Sequence, residues 1–113
     1  MTEYPKRGSI YWIQLDPTIG TEIRKTRPCL IVSNNSQNKK RARVIAAPIT
    51  SKIKTIYPFE AGITLKNKEC KVLLDQIRCL DRQRVGSKID SIDHQAMLQV
   101  EEALAVALDL KKI

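Results

Sequence analysis

The sequence predicts a mainly β protein, a small and strongly bent barrel with one helix packed on it near the C-terminal end. Three observations carry this. Short runs rich in β-branched and aromatic residues recur between residues 9 and 80, several of them closed by Asp, Asn or Pro. Beyond residue 90 the apolar spacing changes to that of a helix. The chain is 113 residues long with 42% hydrophobic content, which suits one domain, residues 1–113, around one core.

Arg7-Gly8 leads into a strand over Ser9–Leu15, which Asp16-Pro17 ends. Cys29–Ser33 reads as a short buried strand, and Asn34-Asn35-Ser36-Gln37-Asn38 as a turn cluster. Arg41–Ile49 is the third strand, with Pro48 placing its end at an edge or bulge. Residues 51–57 form a loop, and Phe59–Leu65 a strand with a bulge at Gly62. Cys70–Leu80 is expected as one long strand bent near Asp75. Asp81–Arg84 form one helical turn that Gly86 closes. In the tail, Ser91 is the expected N-cap, Asp93 suits the positive end, and Met97, Val100, Leu104, Ala107 and Leu108 make the apolar face.

Charge is unevenly spread. Residues 1–89 hold 18 Lys/Arg and 7 Asp/Glu, a net of +11, whereas residues 90–113 carry a net of −3. The basic part therefore points to a polyanion, nucleic acid or an acidic protein segment, against the plainer reading of charge for solubility. Three cysteines without a C-x-x-C pair argue against a disulfide framework and a zinc site, and Cys29 and Cys79, inside apolar stretches, are expected to be buried. The first seven residues lack the apolar stretch of a signal peptide, and no apolar run approaches the ~20 residues of a membrane helix, so a soluble cytoplasmic protein is expected.

Two polar groups stand at the ends of apolar runs: Arg27 just before Cys29-Leu30-Ile31-Val32, and Thr50-Ser51 just after Val44–Ile49. Strand ends hold polar chemistry rigidly. Arg24, Lys25, Lys39, Lys40, Lys52 and Lys54 are candidate phosphate contacts, with a solvated basic face as the competing reading. Aromatic residues are few, and strand alternation turns one of Tyr11 and Trp12 inward, so a broad stacking platform is not expected; Tyr57 is the candidate to stack a base or to join the core. His94, the single histidine, falls in the first turn of the tail helix, which rules out a two-histidine ribonuclease mechanism within one chain.

The blocks Arg7-Gly8-x-Ile10-Tyr11-Trp12, Leu15-Asp16-Pro17-Thr18-x-Gly20-x-Glu22 and Thr26-Arg27-Pro28-x-Leu30-Ile31-Val32-Ser33-Asn34 resemble the MazF/PemK family of bacterial toxins. The likeness continues through Ala47-Pro48-Ile49-Thr50-Ser51, Val72-Leu73-Leu74-Asp75-Gln76-Ile77-Arg78 and Val100-Glu101-Glu102-Ala103-Leu104, nearly the whole chain in the right order. The resemblance implies an SH3-like small β-barrel (MazF/CcdB-like) with a C-terminal helix, working as a homodimer. It implies a sequence-specific, metal-independent endoribonuclease acting on single-stranded RNA, without cofactor, and silenced by an antitoxin protein whose acidic flexible segment suits a basic groove.

Carried over residue by residue, Arg27 and Thr50 match the family's catalytic pair. Glu22 is a chemically ordinary base in the same loop, with loop structuring as its competing role, and Asp75 matches a carboxylate that some members use in catalysis, with an anchor for Arg78 or a backbone amide as its competing role. Arg24, Lys25, Ser51, Lys52, Lys54, Tyr57 and Gln76 are the expected RNA contacts. The chain departs from certain members at Thr21, where they carry a histidine, and at Leu73, where they carry an arginine. Two other readings stand beside this one: a CcdB-like inhibitor that binds a target such as DNA gyrase without cutting RNA, and an inactive basic RNA-binding module.

Overall fold

The computed structural model describes residues 3–110; the rest of the 1–113 span expected as one domain, with Lys111 and Lys112 of the tail, lies outside the described residues. The elements in order are β1 (Ser9–Gln14), β2 (Thr26–Ile31), α1 (Asn35–Lys40), β3 (Arg43–Thr50), β4 (Glu60–Leu65), β5 (Lys68–Leu73), β6 (Arg78–Asp81), β7 (Val85–Ser91) and α2 (His94–Ala107). Single 3-10 turns at Leu74–Gln76 and Arg82–Arg84 flank β6. The strands form one antiparallel, seven-stranded sheet in the order β4-β5-β3-β2-β1-β7, with β6 added to β3. It curls into a partial barrel that carries α2.

β3 is the centre of this arrangement. One edge pairs with β2 through Ala46, Ala47 and Pro48. The other edge is shared: Arg43–Ala46 pair with β6, and Ile49–Thr50 with β5. Pro48 falls in the gap between those two ladders, where a residue without an N–H breaks no bond. It is therefore buried inside a central strand rather than at the edge or bulge expected of it. The expected long strand over residues 70–80 is two strands, because the 3-10 turn at Leu74–Gln76 carries the chain from one ladder to the other.

The sheet is covered on both faces. Leu30, Ala47, Ile49, Val72 and Leu74 pack with Met97, Val100 and Ala103 of α2. Cys29, Ile31, Val44, Ala46 and Leu80 face the other way and pack with Ile13 and Leu15. Successive residues of β2 and β3 thus enter different clusters, and this double burial makes their sequences read as unbroken apolar runs.

Several local expectations are corrected. The turn cluster at residues 34–38 starts helix α1: Asn34 is its N-cap, accepting from the Gln37 amide at 2.8 Å. Asn38 is buried and satisfied by Ser33, whose hydroxyl donates to it and whose carbonyl accepts from its amide at 2.9 Å. Asp93, not Ser91, caps α2, with Oδ1 on the Ala96 amide at 2.8 Å; Ser91 is still in β7, paired with Ser9. Leu108 lies just past the helix and is exposed, while Ala103 completes the buried stripe. Gly86 does not end a turn but lies in β7, where a Cβ would stand 3.1 Å from the Trp12 carbonyl oxygen. Gly62 makes no bulge; β4 and β5 pair without interruption from Glu60↔Leu73 to Leu65↔Lys68. Cys79 is exposed, because its neighbour Leu80 takes the inward position on β6. Among the described residues, no helix is long and apolar enough to cross a membrane.

Candidate functional site

The β2–β3 ladder ends at Cys29↔Pro48, and its register carried two residues further sets Arg27 level with Thr50. Thr50 is in turn paired with Lys71 of β5. Arg27 lies near the start of β2, exposed, and its Nε donates to the Arg24 carbonyl at 3.2 Å. That bond orients the guanidinium and leaves its two terminal nitrogens for a ligand. Thr50 ends β3, half-buried, and its Oγ1 accepts from the Lys52 amide at 3.2 Å. The hydroxyl oxygen is thereby fixed and its proton remains to be donated. Both residues line a concavity of about 340 Å³. Trp12 and Pro28 form part of its wall, and Lys66 and Lys68 add two positive charges. Tyr11 is the inward aromatic of β1, and Trp12 the one left for this wall.

Glu22, Asp75 and Gln76 do not share that concavity. They line a second hollow of about 260 Å³ with Thr21, Ile23 and Arg78. Pro48 belongs to this second hollow and its neighbours Ile49 and Thr50 to the first, so the end of β3 is the wall between them. Glu22 Oε1 accepts from the Ile19 amide at 2.6 Å, which folds the tip of the 16–25 loop. Gln76 Oε1 accepts from the Ile23 amide at 3.1 Å and ties that loop to the 3-10 turn. Arg78 donates to the Leu15 carbonyl at 2.7 Å, so it is not anchored by Asp75, which stays exposed.

The candidate RNA contacts divide by position. Arg24 donates to the Gly20 carbonyl at 3.3 Å, and Lys25 sits at a positive φ of 67° beside it, both exposed on the 16–25 loop. Ser51 lines the first concavity; Lys52 and Lys54 are exposed on the loop that follows. Tyr57 is half-exposed but already stacks on Phe59, with centroids 5.4 Å apart and planes 3° from parallel. Lys39 and Lys40 end α1, which follows the far end of β2, so the fold does not bring them to the Arg27–Thr50 end of the ladder.

Lys66 and Lys68 are the residues that sequence reasoning missed. Lys66 lies in the β4–β5 turn and Lys68 directly after it; Lys66 and Asn67 both take positive φ (50° and 65°), as a two-residue hairpin requires. Asn67 was the available signal, since asparagine tolerates that conformation. His94 is exposed at the start of α2. Burial pushes the Cys29 thiol up to about 12, against a lesser lowering by Arg78, so it is no nucleophile at neutral pH. No three His, Cys, Asp or Glu side chains cluster as a metal site among the described residues.

A curled antiparallel sheet whose strand ends bring an arginine and a threonine to one basic concavity makes a small β-barrel protein with the donors to hold an anion such as a phosphodiester. Residues 6–108 match the family described as the PemK-like, MazF-like toxin of type II toxin-antitoxin systems, and the chain belongs to that family. It is 36% identical over 110 residues to Endoribonuclease EndoA of Bacillus subtilis, covering 93% of this chain and 95% of that one. It is 33% identical to Endoribonuclease MazF9 of Mycobacterium tuberculosis, covering 93% and 97%. Among solved structures, MazF of Deinococcus radiodurans superposes with a TM-score of 0.83 at 28% identity, over 96% of this chain and 100% of that one. A mycobacterial endoribonuclease in complex with its cognate antitoxin gives 0.80 at 29% identity, over 96% and 99%.

Proposed function

We propose that this chain is an endoribonuclease toxin that cuts single-stranded RNA, mRNA included, at preferred sequences in the cytoplasm. The observation that carries the reading is that Arg27 and Thr50 line one concavity, in a chain whose curated relatives are named endoribonucleases. Those names weigh against the gyrase-inhibitor alternative.

The reaction uses the substrate's own 2′-hydroxyl. Its oxygen attacks the adjacent phosphorus, its proton passes to a base, and the bond to the 5′ oxygen breaks as that oxygen gains a proton. The products are a 2′,3′-cyclic phosphate and a 5′-hydroxyl. Negative charge builds on the equatorial phosphoryl oxygens as the attack proceeds. Arg27 meets it with the terminal nitrogens of a preoriented fork, and a fixed charge in a partly enclosed site is commonly the largest catalytic contribution. Thr50 donates a hydrogen bond from its hydroxyl to the same group. Arg27 acts as a stabiliser of charge rather than a proton carrier, since a guanidinium is neither a useful acid nor a useful base near neutral pH. Glu22 is the base we assign; it lines the neighbouring hollow across the end of β3, and its second carboxylate oxygen is not the one that holds the Ile19 amide. Asp75 flanks it, and Gln76 holds the loop that carries it.

No metal or cofactor enters this scheme. Arg24, Lys25, Ser51, Lys52, Lys54 and Tyr57 are assigned to the RNA on either side of the cut. Base identity is read by loop hydrogen bonds on splayed nucleotides, since aromatic side chains are too few for a stacking track. A homodimer, and an antitoxin whose acidic flexible segment occupies the basic concavity, complete the proposal.

The test is incubation of the purified protein with a long single-stranded RNA in EDTA, followed by sequencing of the new 5′ ends. The reading expects discrete ends at a recurring short motif. A salt-sensitive shift of the RNA without new ends would replace it with the binding-module reading.

A further inference from the structure

The loop at residues 51–58 leaves the site directly from Thr50, and one buried ion pair holds it from beneath. Lys71 lies on β5, registered with Thr50 on one side and Gly62 on the other. Its ammonium donates to the Thr55 carbonyl at 2.6 Å and to Glu60 Oε1 at 2.8 Å. The same carboxylate oxygen accepts from the Tyr57 amide at 2.9 Å, and the ammonium stands 5.8 Å from the centre of the Tyr57 ring. Between these two residues, Ile56 rests on the glycine of β4: a Cβ at Gly62 would lie 3.3 Å from its Cδ1. Three consecutive loop residues are therefore tied to the β4–β5 hairpin, by a carbonyl, an apolar contact and an amide. The side chains of Lys71 and Glu60 are only 11% and 8% exposed. An apolar pair would fill that space with less desolvation cost. It would have no donor for the Thr55 carbonyl and no acceptor for the Tyr57 amide.

We propose that Lys71 and Glu60 are positioning residues: their ion pair fixes the 51–58 loop on the β4–β5 hairpin and so sets which bases are held beside the phosphate at Arg27 and Thr50. The inference rests on the RNA-cleaving reading above. Neither residue touches the phosphate. Both act through Ser51, Lys52, Lys54 and Tyr57, whose placement the clamp determines, and loop placement governs substrate orientation.

The test is the double variant Lys71→Met/Glu60→Gln, which leaves no unpaired buried charge and keeps an acceptor for the Tyr57 amide. It is compared with the wild type in cut-site profile on a long RNA in EDTA, in KM and kcat on one preferred oligonucleotide, and in hydrogen exchange of amides 52–57. The expected variant is folded and still cuts, with a broadened motif, faster exchange in the loop, KM raised about tenfold and kcat within about threefold. Lys71→Arg, which keeps a donor, is expected to restore the narrow motif. A folded double variant with the wild-type motif and KM would overturn the proposal. So would a fall in kcat alone with the motif unchanged, the mark of a merely structural role. If the double variant does not fold, Glu60→Gln alone is read the same way: a broadened motif with faster Tyr57 exchange supports the clamp, and no change in either overturns it. A wild-type protein that cuts no RNA would instead remove the reading on which the clamp rests.

Discussion

Arg27 and Thr50 come to one concavity because the start of β2 and the end of β3 lie at the same end of their ladder. Each is constrained by one backbone bond, Arg27 Nε to the Arg24 carbonyl and the Lys52 amide to Thr50 Oγ1. Thr50→Ala is expected to cut the rate of RNA cleavage by more than about tenfold, and Thr50→Ser to retain most of it, because the reaction needs the hydroxyl and not the methyl. Steady-state rates on one oligonucleotide check this, with circular dichroism to show that both variants are folded. The placement of both residues at strand ends was legible in the sequence because each borders an apolar run. Cys79 was misread for the same kind of reason: an apolar neighbourhood in sequence does not say which face of β6 a residue takes. Lys66 and Lys68 were not legible as site residues, since only the β4–β5 hairpin brings them to the concavity.

At the scale of elements, the strands with strong apolar runs were readable and those without were not. β7 reads Val-Gly-Ser-Lys-Ile-Asp-Ser, and it is a strand because β1 pairs with it rather than because its residues favour one. The split of β5 from β6 was visible only as a bend, because the change of ladder is set by β3, far away in sequence. Helix α1 was hidden in a run that has the composition of a turn, and Asn34 and Asn38 support it by capping and by burial. Asn34→Ala is expected to lower the unfolding free energy by about 1 kcal/mol in urea denaturation. Because α1 stands at the far end of the β2–β3 ladder from the site, the cut-site profile of that variant is expected to be unchanged.

For the whole molecule, the +11 net charge of residues 1–89 is the sequence's argument for a polyanion partner, while the fold decides which of those charges line the concavity. Lys66 and Lys68 line the concavity, whereas Lys39 and Lys40 close a helix at the other end of β2. RNA affinity measured against salt separates the two groups. Each phosphate contact on a single strand contributes a slope of about −0.7 in log K against log salt. Lys66→Ala/Lys68→Ala is expected to make the slope shallower by about 1.4 where both lysines meet phosphates, and Lys39→Ala/Lys40→Ala to leave it unaltered.

The account as a whole requires that the guanidinium at the start of β2 stabilise the charge that builds on a phosphodiester during cleavage. The most direct measurement is the single-turnover rate of wild type and Arg27→Ala on the same RNA in EDTA, with both proteins shown to be folded and to bind it. The expected result is a loss of more than about tenfold in the chemical step, with the wild type leaving 5′-hydroxyl ends. Equal rates in the two proteins would contradict it.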